Sequence, residues 1–409
     1  MVSRGSKDAP WAISSGDTVS ACGGDRLRIV QSEAATQQVT GRLLALFVSV
    51  LLSAPLRAEP AAGSVELDPV AWQAASRIEF VYADDAPVSL SYVAADTAPG
   101  DASVETPAAI RDCAPERRER KRTHRGAWVW DTRDALREPD AFARRVHGRG
   151  YDTVLLQIAE PLDRYGPLLK ALAGVKVNAV ALDGEPGSAF APDALLQAVE
   201  SLRRFNATHR YRFQGLQVDV EPYVLKGFAL DEARHFAAYV ALLDSLRVRA
   251  AGDLKVTAVV PFWYASKHVD GRNLLDAVLE SSDGIAVMAY RTTPLQIREL
   301  AMPALCLARS RRKPAWIGLE RTRLPSERHY VVDKARLQPY LKPDSDRLLL
   351  QGVPPDGAPF DAQFDVRADA LTFHDRPEAL AAELAAPLPL DSFAGWIVNG
   401  ERFVADEAP

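Results

Sequence analysis

The rhythm of apolar positions changes near residue 126. Beyond it, short runs dense in Val, Ile, Leu and Ala alternate with longer stretches whose apolar residues recur every three to four positions. The runs predict strands at 126–131, 152–158, 177–184, 213–222, 255–263, 283–291, 315–321 and 394–400. The intervening periodicity predicts helices, among them 193–205, 230–250, 274–281, 294–311 and 377–386. Near-continuous apolar strands suit a parallel sheet covered by helices. Strand–helix units of this number over roughly 280 residues match a (β/α)8 TIM barrel. A doubly wound open sheet is the alternative, but no glycine-rich fingerprint follows the first strand. The tract 322–376 is too long for a simple connection and predicts an insertion with short strands in "RLLLQG" and "DAQFDV".

Upstream of the barrel the texture differs. "SRIEFVYADDAPVSLSYVAA" predicts two strands around a turn at Asp84 and Asp85. An Ala/Pro/Asp-rich linker follows, so residues 59–122 form a small β-rich appendage and tether ahead of a barrel spanning 126–403. Earlier still, "GRLLALFVSVLLSAPLRAEP" joins Arg42 to an apolar run, Leu43 to Leu52, and a small-residue exit ending at Ala58. A bilayer needs about 20 apolar residues, so the run is too short to span and has the form of a secretory h-region. The polar residues ahead of it are foreign to a signal peptide. Residues 1–58 therefore read as an over-extended start plus a signal peptide at about 39–58, with Val39 as initiator. An uncleaved anchor is the alternative. Cleavage would leave no membrane span and a periplasmic or secreted bacterial protein.

Composition narrows the function classes. The 409 residues carry a net charge of -5 and are 47% hydrophobic, ordinary for a soluble globular chain. Mild acidity with no enforced basic face argues against a nucleic-acid partner. The basic cluster "ERRERKRTHR", Glu116 to Arg125, falls in the linker and reads as a solvated tether. Cys113 and Cys306 allow one bridge in an oxidising compartment, while Cys22 precedes the signal. No metal or cofactor spacing is visible, and a monomer is expected.

In a barrel the chemistry gathers at the C-terminal strand ends. The predicted ends carry Trp130 and Asp131, Gln157, Asp183, Asp219 and Glu221, Trp263 and Tyr264, Tyr290 and Arg291, Glu320 and Arg321, then Asn399 and Glu401. Polar or aromatic residues at every end imply a polar substrate cleft. In "FQGLQVDVEPY" strand alternation places Gln217, Asp219 and Glu221 on one face. Carboxylates about 6–7 Å apart at the backbone perturb each other, so one keeps its proton while the other stays ionised. An acid catalyst beside a stabilising carboxylate needs that arrangement.

"GLQVDVEPY" resembles the fourth-strand motif of the family 18 glycoside hydrolases (chitinase-like), D-G-x-D-x-D-x-E, with its last Asp and Glu on Asp219 and Glu221. "VMAYR" is similar to the family's sixth-strand M-x-Y-D and places its tyrosine on Tyr290. "GWIVN" puts Trp396 near the family's eighth-strand sugar platform. The resemblance covers the barrel alone. It implies a glycosidase acting on a polysaccharide, such as one rich in amino sugar, in which Glu221 is general acid/base and Asp219 steadies a 2-acetamido group. Tyr290 would bond near the reacting centre, and Trp130, Trp263 and Trp396 would stack on sugar. Three positions depart from the family: Gln214 and Gln217 replace its first two aspartates, and Arg291 its aspartate after the tyrosine. The alternative is a non-catalytic carbohydrate-binding barrel of an exopolysaccharide or cell-envelope system. A metal-dependent hydrolase using Asp131, Asp183, Asp219 and Glu320 ranks lower, because the histidines fall on linkers, helices or loops.

Overall fold

The computed structural model describes residues 64–83, 88–94, 110, 113 and 123–404, except 226, 229, 230, 345, 346, 352–359, 387 and 389. The signal segment at 39–58 and the turn at Asp84 and Asp85 lie outside the described residues. Eight parallel strands close into a barrel in chain order. They are β1 (His124–Val129), β2 (Thr153–Gln157), β3 (Asn178–Asp183), β4 (Gly215–Val218), β5 (Lys255–Pro261), β6 (Gly284–Met288), β7 (Ala315–Glu320) and β8 (Phe393–Asn399). Pairing of β8 with β1 completes the ring and rules out the open sheet.

Every residue of β4 and β6 is buried, as a strand packed on both faces requires. Helices Asp193–Thr208, Glu232–Ala250, Leu274–Ser281 and Pro294–Ser310 cover the outside. Asp231 caps the second of these by accepting the Arg234 N–H. Inside, the Trp128 indole crosses the barrel and donates to Gln217 Oε1 at 2.6 Å. It fits because Gly318 on β7 has no side chain: a Cβ there would sit 2.7 Å from the ring.

The appendage and the insertion, two separate additions in the sequence, form one layer in the fold. Strand Ala75–Ala83 lies between Ser89–Ala94 and Glu327–Asp333, and Ala362–Val366 completes the sheet. A second sheet pairs Ser64–Leu67 with Arg347–Gln351, which in turn pairs with Leu341–Asp344. Leu67, Trp72, Ile78, Phe80, Val332, Leu337 and Leu350 make a core separate from that of the barrel. His329 is fully buried there. Its ring nitrogens lie 3.0 Å from Glu79 and 3.1 Å from Glu327, a polar bond that also crosses from appendage to insertion. Burial opposes the charged imidazole, but the two carboxylates prevail and raise its pKa.

A disulfide joins Cys113 to Cys306, with Cα atoms 5.8 Å apart. It fastens the segment between the outer layer and the barrel to helix Pro294–Ser310. Such a bridge persists in an oxidising compartment. Among the described residues no helix is long and apolar enough to cross a membrane.

Candidate active site

The acid pair sits just past the end of β4. The strand stops at Val218, so Asp219 and Glu221 occupy the outgoing segment, and alternation along a strand does not place them. What places Asp219 is its N–H, which donates to Asp183 O at the end of β3 at 3.0 Å. Gly184 makes this approach possible: its φ of +147° suits glycine, and a Cβ there would collide with the Asp219 carbonyl. Pro222 then turns the chain into a short 3-10 segment, Pro222–Val224, beneath which Glu221 is only 4% exposed.

Burial dominates the electrostatics. It pushes the Asp219 carboxyl up to about 7. Burial and then the neighbouring Asp219 charge push Glu221 well above the carboxylate range, against a Tyr223 hydroxyl that donates to Glu221 Oε1. The two groups interact, so their protons leave in steps belonging to the pair. Around it stand Tyr223, Tyr239, Tyr264 and Tyr290, whose hydroxyls are raised first by burial and then by neighbouring groups, Asp219 and Glu221 among them. Tyr239 donates to Val259 O at 3.3 Å. Asp219 Oδ1, Tyr264 OH and Trp263 Nε1 are buried without a hydrogen-bond partner. Unmatched buried polar atoms are rare in folded proteins.

A second group gathers where β7, β8 and β1 end. Glu320 is 2% exposed and both its oxygens are engaged: one accepts Arg321 N at 2.7 Å and Thr322 N at 2.5 Å, the other Asn399 Nδ2 at 2.8 Å. Asn399 Oδ1 accepts the Trp130 indole N–H at 2.9 Å. The 43% exposed Trp130 ring is thereby oriented at the barrel mouth. Both Glu320 oxygens are therefore tied to the ends of β7 and β8.

Other predicted residues take different places. Asp183 accepts Gln157 Nε2 at 3.3 Å, and burial raises its pKa. It lines a cavity of about 460 Å3 with Glu160, Gln197, Ser201 and Arg204, beside the acid pair and not around it. Gln217 turns inward to Trp128 and Thr257, so its amide is spent inside the barrel. Asp131 is held by Arg133 on the surface, which lowers its pKa to about 2. Trp396 is fully buried against Phe393, because β8 runs three residues further, to Asn399. Arg291 lies at the rim, its Nη1 donating to Tyr290 O at 2.7 Å. Among the described residues no cluster of His, Cys, Asp and Glu is arranged to hold a metal ion.

Tyr223 and Tyr239 are the site residues that sequence reasoning missed. Tyr223 follows Glu221 by two residues, a spacing that was available as a signal. Tyr239 reaches the site from the middle of helix Glu232–Ala250 and has no local signature.

No family model matches the sequence, and no curated protein matches it. Solved structures match at low similarity. The spore cortex-lytic enzyme SleL of Bacillus cereus is 11% identical over 68% of this chain and 70% of its own, with a TM-score of 0.35. A chitinase from Bacteroides thetaiotaomicron is 12% identical over 68% of this chain and 89% of its own, also at 0.35. A β-galactosidase from the Antarctic haloarchaeon Halorubrum lacusprofundi is 11% identical over 68% of this chain and 52% of its own, at 0.37. At these values the chemistry rests on the side chains alone.

Proposed function

We propose that the chain is a glycosidase acting on a polysaccharide, with Glu221 as general acid/base and Asp219 positioning the reacting group. The observation that carries this reading is the acid pair, Asp219 raised by burial and Glu221 by burial and the Asp219 charge, with an unpartnered Asp219 oxygen. A carboxyl held protonated near neutrality can give its proton to a glycosidic oxygen as the bond breaks. Asp219, ionised, can orient a substrate N–H or stabilise positive charge at the anomeric carbon. Where the sugar carries a 2-acetamido group, its carbonyl oxygen can attack that carbon, an exception to the two-carboxylate scheme. The Tyr264 hydroxyl and Trp263 N–H, unpartnered within the protein, are donors without an internal bond to give up. Trp130 offers a sugar-stacking face, oriented by Asn399. The Cys113–Cys306 bridge supports export, with a signal peptide at about 39–58.

One observation favours a non-catalytic carbohydrate-binding barrel instead. Gln217, at the position of a relay aspartate in family 18, is engaged with Trp128 and Thr257 and hands no proton to Asp219. Reducing-end release from a panel of purified polysaccharides, with chitin oligosaccharides included, separates the two. The glycosidase releases new reducing ends from at least one member; binding without release from any member leaves only the lectin-like barrel.

A further inference from the structure

Arg291 is the rim cation that the acid-pair chemistry leaves unused. It follows Tyr290 just beyond β6, and its guanidinium carbon lies 5.9 Å from the ring centroid of Phe262, the first residue after β5. The group therefore lies across the β5–β6 rim at the same end of the barrel as Asp219 and Glu221. It is half-buried, and burial lowers its pKa, to about 10, so it stays charged at neutral pH. Among the described residues its one hydrogen bond is to the Tyr290 carbonyl, and no carboxylate pairs with it. Other arginines are matched: Arg133 with Asp131, and Arg149 and Arg321 with Glu401. A guanidinium has five N–H donors, and a buried cation without a counter-charge is costly. A second cation stands close by, since Arg376 Nη1 reaches the Thr292 hydroxyl at 3.3 Å. The nearby Asp369 carboxylate is engaged by Arg367.

Building on the glycosidase reading, we infer that the cleft takes an acidic glycan and that Arg291 pairs with the carboxylate of one of its sugar units. The guanidinium fork matches a planar carboxylate through two parallel N–H···O bonds. An aspartate at this position would repel such a sugar, so the arginine changes the charge the rim accepts. Arg291 is a specificity residue here and takes no part in bond cleavage.

Calorimetric titration of the full chain with chitotetraose, a hyaluronan tetrasaccharide and tetragalacturonate tests the inference. The wild type should bind at least one acidic probe about tenfold or more tighter than chitotetraose, with a preference that fades as salt rises. Arg291→Gln should weaken that acidic probe by about 10–100-fold, as expected for a charge-assisted bond, and leave chitotetraose unchanged. Arg291→Lys should recover part of the loss. No preference for either acidic probe, or equal weakening of neutral and acidic probes by Arg291→Gln, overturns the inference. Cleavage of chitotetraose without acidic preference overturns it while the glycosidase reading stands. Acidic preference lost in Arg291→Gln, with no glycan cleaved, upholds it and sinks the glycosidase reading.

Discussion

Glu221→Gln is expected to lower turnover of a natural glycan by about 10²–10⁴-fold while glycan binding persists, the usual size of a general acid–base contribution. The amide keeps the shape of the carboxyl and can still accept the Tyr223 hydroxyl, so the pocket is preserved. What is lost is the proton that burial and Asp219 retain on Glu221. An aryl glycoside with a good leaving group needs little protonation, so its cleavage should be partly spared. Steady-state kinetics on both substrates check this. Equal losses on both, or a loss of binding matching the loss of turnover, would instead mean that Glu221 holds the cleft together.

Removing residues 1–122 is expected to destabilise the remaining chain severely. The cut takes away strand Ala75–Ala83, which is hydrogen-bonded along its length to Glu327–Asp333. Val332, Leu337 and Leu350 then lose Ile78, Phe80 and Trp72 from their shared core. Each side chain returned to water costs about 1.5–3 kcal/mol. His329 also loses Glu79, one of the two carboxylates that compensate its burial. The cut removes the Cys113–Cys306 bridge as well, worth about 2–4 kcal/mol. A Cys113→Ser chain of full length isolates that last contribution. Thermal unfolding of the three proteins should rank wild type above Cys113→Ser and Cys113→Ser well above the truncated chain. A truncated chain melting with Cys113→Ser would mean that the outer layer adds nothing to the barrel.

The barrel was legible because its strands are short, nearly continuous apolar runs, and a run such as "GIAVM" has few alternatives to a buried parallel strand. Strand ends were legible to within a few residues, which sufficed to name Asp219, Glu221, Tyr264 and Tyr290. At Trp396 the strand itself was legible, but the resemblance placed at the mouth a residue that lies mid-strand in the core. Gln217 has the right parity for the cleft, but its partner Trp128 lies 89 residues away, and no local pattern reveals a bond across the barrel. The union of appendage and insertion was hidden for the same reason: Glu79 meets His329 across 250 residues. Nor does a sequence report desolvation, which sets the charge of the acid pair.

The most direct test of that pair is the pH dependence of kcat/KM, which follows ionisation in the free enzyme. In the proposed mechanism the working form has Asp219 ionised and Glu221 protonated. As pH falls through about 7, Asp219 takes up a proton and activity should fall; as pH climbs through the raised value of Glu221, the donor is lost and activity should fall again. The predicted profile is therefore a bell displaced to the alkaline side of ordinary carboxylate behaviour. In Asp219→Asn the acid limb near 7 should vanish and the alkaline limb move to lower pH, because the like charge that raises Glu221 is gone. An acid limb at about 4, where solvated carboxylates titrate, unchanged in Asp219→Asn, would contradict the pair as the catalytic centre.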